Sequence, residues 1–150
     1  MTSVVIIGAG PGGYEAALVA AQLGADVTIV DADGPGGSAV LTDCVPSKTL
    51  IATADLLAVT AEAGSLGIRV DGDAPRGVLS VDMASVNHRV KELATAQSRD
   101  IAGRLERDGI RYVHGRGRLD SPSRVAAATV ERARRAVESA QRRREARAAA

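Results

Sequence analysis

The 150-residue sequence has no tryptophan, no phenylalanine, two tyrosines (Tyr14 and Tyr112) and one cysteine, Cys44. Any core must therefore be closed by Val, Ile, Leu and Ala rather than by rings. A single cysteine excludes an intrachain disulfide, structural or catalytic. The N-terminus lacks the basic stretch of a signal peptide, and no apolar run approaches spanning length. No membrane span is expected, and the expected compartment is the cytoplasm. Neither sign of charge dominates: the formal net charge is +1, which speaks for no polyanion, and no nucleic acid partner is expected. No metal site and no internal repeat are evident. The charge is uneven, however. Residues 125–150 hold seven Arg against three Glu, a balance of +4, which leaves −3 for the first 124.

What is present is enough for one domain, with 45% hydrophobic and 25% charged residues. The most informative stretch is residues 3–31, SVVIIGAGPGGYEAALVAAQLGADVTIVD. Residues 4–7 are apolar and β-branched, too few for a helix, and read as a buried strand. Gly8-Ala9-Gly10-Pro11-Gly12-Gly13 follows and fits G-x-G-x-x-G at Gly8, Gly10 and Gly13. A helical run carrying Ala16, Ala17, Leu18, Ala20, Ala21 and Leu23 then stops at Gly24. A second strand over 26–30 ends on Asp31, 23 residues after Gly8.

The spacing has a chemical reason. Gly8 permits a sharp turn off the strand, Gly10 removes a side chain where a pyrophosphate comes close, and Gly13 lets helix and strand pack tightly. Unpaired N–H groups at the positive end of the helix can hold that pyrophosphate without a lysine. A carboxylate at Asp31 can accept from a ribose 2′-OH and repels a 2′-phosphate. The three parts in this order point to a dinucleotide site.

The next stretch is a turn-rich loop, Asp33-Gly34-Pro35-Gly36-Gly37-Ser38, leading into Ala39-Val40-Leu41-Thr42-Asp43-Cys44-Val45-Pro46-Ser47-Lys48. With GAGPGGYEAA and VTIVD before it, GPGGSAVLTDCVPSKTL resembles the FAD-binding half of the pyridine nucleotide–disulfide oxidoreductases, the family of dihydrolipoamide dehydrogenase and glutathione reductase. The likeness runs in one register over about residues 3–125. That family's loop reads Gly-Gly-x-Cys-x-x-x-x-Cys-x-Pro-Ser-Lys, with two cysteines forming the redox disulfide. Cys44, Pro46, Ser47 and Lys48 match its second half, while Ala39 stands at the first cysteine and removes the dithiol relay. The pattern is more similar to the NAD(P)H–quinone dehydrogenase branch, whose members lack the pair.

The resemblance implies a Rossmann-like α/β domain, three-layered, with a parallel and here incomplete sheet. It implies FAD as cofactor, held by Gly8, Gly10, Pro11, Gly12, Gly13, Asp31, Ala32, Gly36, Gly37 and Ser38, with Gly117 near the adenine. Lys48 would sit by the flavin N5 and Cys44 against the ring, these two being the catalytic candidates. For Cys44 the alternative is a small buried apolar residue, and for Lys48 a solvated lysine near a helix start. The intact family takes hydride from NAD(P)H, passes electrons on (here to a quinone-type acceptor) and works as a homodimer. A histidine at a strand end, His114, is expected to be structural.

Further along, a helix is expected from Pro46 to a stop at Gly64, an irregular excursion over 65–80, and a second helix over 82–108 capped by Gly109. The latter presents Val86, Val90, Leu93, Gln97, Ile101 and Leu105 on one face. Residues 110–114 read as a short strand, followed by a glycine segment. Residues 125–150 contain ten Ala and seven Arg without Gly or Pro, and a solvated Ala/Arg-rich helix is the local expectation. The expected organisation is thus a truncated FAD-binding domain over 1–124 and a helical tail over 125–150 that is unlike the family. The chain is expected to be a fragment, from a truncated gene or a frame shift near residue 125, lacking the NAD-binding and dimerisation domains and inactive alone. The alternative is a module that binds FAD or another nucleotide without catalysis.

Overall fold

The first strand forms where the apolar β-branched run predicts it, but it is not the buried strand expected: with a strand on one side alone among the described residues, it leaves Val5 and Ile7 exposed and Val4 and Ile6 half-buried. In the computed structural model, which describes residues 2–68 and 80–129, β1 (Ser3–Ile7) leads through the first glycine loop into α1 (Pro11–Gln22) and β2 (Asp26–Asp31). A short helix α2 (Gly37–Leu41) follows, then α3 (Cys44–Glu62), a 3₁₀ turn over Ala63–Leu66, and α4 (Met83–Arg107). The chain returns as β3 (Arg111–Ser121) and β4 (Arg124–Thr129). These four strands form one sheet in the order β1-β2-β3-β4. The first two pairings are parallel and the last is antiparallel. The result is a mixed α/β, incomplete Rossmann-like fold, in which β1 pairs with β2 alone among the described residues.

Strand alternation sorts the apolar residues into two faces. Val4, Ile6, Val27, Ile29 and Tyr112 share one face, against which Ala17 and Leu18 of α1 and Ile101 and Leu105 of α4 pack. On the other face Gly117 of β3 closes over Ile7 and Val30: a Cβ there would lie 3.2 Å from both side chains. The cover at that point is therefore strand, not helix.

Helix ends follow from the backbone. After α1, Ala25 N–H bonds to Ala20 C=O and Gly24 N–H to Ala21 C=O, and Ile110 and Gly109 repeat the pattern on Leu105 and Glu106 after α4. These are the paired bonds of a glycine-ended helix, as the sequence suggests. α3 differs from the expectation. Its stop is not Gly64, because a 3₁₀ turn continues to Gly67, whose N–H bonds to Gly64 C=O while Ile68 N–H bonds to Ala63 C=O. α4 opens on Asp82, whose carboxylate accepts from Ala84 and Ser85 N–H.

Three expectations change. The return strand is not confined to 110–114: β3 pairs with β2 through Arg111–His114 and then, from Gly115 to Ser121, with β4. The helix expected from residue 125 does not begin there. Residues 125–129 extend along β3 instead, because a long-range ladder overrides the helix preference of three consecutive alanines; residues 130–150 lie outside the described residues, as do 69–79 of the irregular excursion. The buried face of α4 is also shifted. Ala94 and Ser98 are buried while Leu93 and Gln97 are exposed, since small residues fit where α2 and α3 press against this helix.

By length and composition, Gly37–Leu66 falls within the range of a membrane-crossing helix, against the expectation of none. The stretch is interrupted at Thr42 and Asp43 and carries Lys48, Asp55 and Glu62 on α3. Such charges at mid-helix are costly in hydrocarbon.

Candidate functional site

The first glycine loop is shaped by one close approach. A Cβ on Gly13 would overlap the Gly8 carbonyl oxygen, and the nearest side-chain atom beyond is Ile6 Cγ2 at 3.5 Å. Only glycine lets α1 start directly over the strand it leaves. Pro11 occupies the first helical position, and the first helical bond runs from Tyr14 N–H to Gly10 C=O. The N–H groups of Gly12 and Gly13 therefore precede the ladder, at the positive end of a helix with no acidic residue in its first turn. A Cβ on Gly10 or Gly12 would meet nothing within 4 Å. The space over the loop is open, and a pyrophosphate fits the donor set facing it.

The second glycine loop lies on the first. A Cβ on Gly37 would come within 2.9 Å of Gly10 Cα, so the two backbones touch because Gly37 carries no side chain. Gly36 N–H donates to Ala9 C=O at 2.8 Å. Gly36 and Gly37 are buried, Ser38 is exposed, and α2 begins here, where the sequence reads only as a turn. Five residues that open on a glycine offer no helical periodicity to detect. Behind the loop, Ser98 Oγ on α4 donates to Pro35 C=O at 2.6 Å. Sequence reasoning missed this residue, and only its offset from the apolar stripe of α4 could have signalled it.

Asp31 occupies the end of β2, as its spacing predicts, but its carboxylate is turned to the backbone. Oδ2 accepts from Ala9 N–H at 2.8 Å, and Oδ1 accepts from Asp33 and Gly34 N–H at 2.8 and 2.7 Å. Burial pushes the carboxyl up. The N–H groups of Gly34, Ala9 and Asp33, with His114 close by, outweigh burial and hold it below 3.8. Around it, Tyr112 OH donates to Asp31 C=O at 3.4 Å, and His114 Nε2–H donates to Ala32 C=O at 2.8 Å. His114 thus braces the turn after β2, a structural task.

Burial first, then the negative charges of Asp31 and Asp33, push the Tyr112 phenol up to about 12 from 10.0. The folded state favours the neutral phenol, so its stabilising effect is complete below about pH 10 and is lost as pH rises towards 12. A phenolate absorbance titration should contain a step near pH 12 that vanishes in Tyr112→Phe. A single step near pH 10 in the folded chain would contradict this environment.

Cys44 and Lys48 stand one turn apart on the same side of α3. Both are exposed. The alternative of a buried Cys44 is thereby corrected: it opens α3 at the surface, where no apolar neighbour encloses it. Ala39 sits within α2, partly buried, so no second sulfur accompanies it. Gly117 lies over Ile7 and Val30, and that packing by itself accounts for glycine there.

Known proteins are similar to this chain in sequence and in fold. The family model for pyridine nucleotide-disulphide oxidoreductases matches residues 2–138, past the boundary expected at 124. A Mycobacterium tuberculosis NAD(P)H dehydrogenase (quinone) is 46% identical over 122 residues, which are 79% of this chain and 24% of that protein. Dihydrolipoyl dehydrogenase 2 of Haloarcula marismortui is 35% identical over 114 residues, 76% of this chain and 23% of its own. The crystal structure of LpdA from Mycobacterium tuberculosis superposes with a TM-score of 0.74 at 39% identity, covering 87% of this chain and 28% of that one. The chain thus spans 23–24% of the length of these two curated relatives. It belongs to the pyridine nucleotide-disulphide oxidoreductase family.

Proposed function

We propose that this chain binds FAD across its two glycine loops and forms the FAD-binding part of an NAD(P)H oxidoreductase of quinone-dehydrogenase type. The observation that carries the reading is the contact of Gly37 with Gly10, which brings both loops to one open space at the start of α1. In the proposed complex the Gly12 and Gly13 N–H groups hold the pyrophosphate, with Gly8, Pro11, Gly36 and Gly37 shaping its walls. Asp31 and Ala32 border the adenosine ribose, Gly117 the adenine, and Ser38 the ribityl chain. FAD, when bound, would supply hydride acceptance from NAD(P)H and transfer of electrons onward.

The roles proposed for the chain's own side chains follow from charge. Lys48 places a cation where negative charge collects on a reduced flavin, and Cys44 contributes a thiol on the same side of α3. With Ala39 in place of the first cysteine, no disulfide relay is available, which favours a quinone-type acceptor over a disulfide. The relative of 46% identity bears the quinone dehydrogenase name. In the intact enzyme the partner is a second copy, and the compartment is the cytoplasm.

Alone, the 150-residue chain is proposed to bind FAD without turnover, since it matches less than a quarter of the M. tuberculosis relative. The test is to purify the chain, add FAD, desalt, and record the visible spectrum, then add NADH and a quinone. A retained flavin band without NADH oxidation is expected. A colourless protein would reject the cofactor reading, and robust quinone reduction would reject the inactivity.

A further inference from the structure

We propose that Asp31 is a positioning residue whose carboxylate fastens the first glycine loop to the second, fixing the pocket walls before any ligand arrives. The inference rests on the reading above only for the identity of the ligand. Its basis is the pattern of donors. Oδ2 takes the N–H of Ala9, inside the first loop, while Oδ1 takes the N–H groups of Asp33 and Gly34, inside the second. Ala9 is fully buried, and its carbonyl accepts Gly36 N–H from the same second loop. The Ala9 residue is therefore held at its N–H by the last residue of β2 and at its C=O by the loop that follows.

A carboxylate offers about four lone-pair positions. Three are taken by N–H groups, and one remains on Oδ2. A ribose would find one acceptor site there, not a free carboxylate, so the sequence-based role of Asp31 shrinks to a single hydrogen bond. The groups that face it are Asp33 in the same turn, and Tyr112 and His114 of β3, which hold the backbone of Asp31 and Ala32.

The ionised form carries all three bonds, so the group's folded value is depressed below 3.8. Its stabilising effect is complete above the unfolded value and is lost as pH falls through the lower folded one. In the ligand-free chain, the amide resonances of Ala9, Asp33 and Gly34 should shift together on acidification, with one midpoint below 3.8. Asp31→Asn provides the second arm. An amide has one acceptor oxygen and a donating NH₂, so it can serve Ala9 or the Asp33–Gly34 pair, never both. The common titration should vanish in the variant, and hydrogen exchange at Ala9 or Gly34 should rise about tenfold or more. FAD affinity should fall by about tenfold as well.

Three amides that titrate at separate midpoints would overturn the proposal, as would unchanged exchange in a folded Asp31→Asn chain. The titration of the unsubstituted chain does not depend on the variant folding. A chain that takes up no FAD yet shows the common midpoint keeps the clasp and rejects the cofactor reading instead.

Discussion

Gly13→Ala is expected to abolish FAD uptake and to destabilise the chain by roughly 3 kcal/mol. The new Cβ would overlap the carbonyl oxygen of Gly8, a backbone atom that cannot rotate aside. Relief requires α1 to lift from β1, which displaces the Gly12 and Gly13 N–H groups and loosens Ala17 and Leu18 from the core. Gly12→Ala is the matched control. A Cβ there meets nothing within 4 Å, so stability should change by well under 1 kcal/mol. Chemical denaturation gives the first quantity and equilibrium dialysis with FAD the second. If Gly13→Ala unfolded at the same denaturant concentration as the parent, the tight turn between β1 and α1 would be wrong.

Ile29→Ala is expected to produce the other large effect, a loss of about 2–5 kcal/mol of stability. Ile29 is fully buried on β2, flanked by Ile6 of β1 and Tyr112 of β3. Most of its core neighbours are aliphatic, and the ring beside it on β3, Tyr112, is tied by its hydroxyl to the Asp31 carbonyl rather than free to slide into the space. For a domain holding only about 5–15 kcal/mol in all, much of the folded population would be at risk. The effect should appear in the folding midpoint with the denaturant slope unchanged. Saturating FAD, which binds only the folded form, should recover part of the loss. A loss below 1 kcal/mol would mean that the sheet does not close around this position.

The two substitutions separate what each part of the chain contributes. Gly13 acts through the shape of a loop, so its effect falls on binding and stability together. Ile29 acts through buried area and not through the loop's donors, so binding at low temperature should survive it. Lys48 and Cys44 belong to neither group, being exposed on α3 with no buried neighbour on that helix.

Much was legible because it is local. The β-branched run of β1, the spacing of Gly8, Gly10 and Gly13, the glycine stops at Gly24 and Gly109, and Asp31 at the end of β2 each follow from a few adjacent residues. Backbone sterics and short-range hydrogen bonds decide such features, and both are written in sequence order. The family was legible for the same reason, since its motifs are loops whose chemistry requires glycine, proline and lysine at fixed offsets.

The tertiary structure decided what depends on residues far apart in the chain. It laid Gly37 on Gly10, drew Ser98 to the Pro35 carbonyl, and set the carboxylate of Asp31 on the N–H of Ala9, 22 positions away. It also made a strand of residues 125–129, where alanine favours a helix, because the long-range ladder on β3 outweighs a weak local preference. Sequence by itself determined the first glycine loop and the α/β class, since sterics act between neighbours. Which groups the pocket's acid would serve, and which way the chain would run after β3, were decided only when distant peptide groups met and satisfied one another.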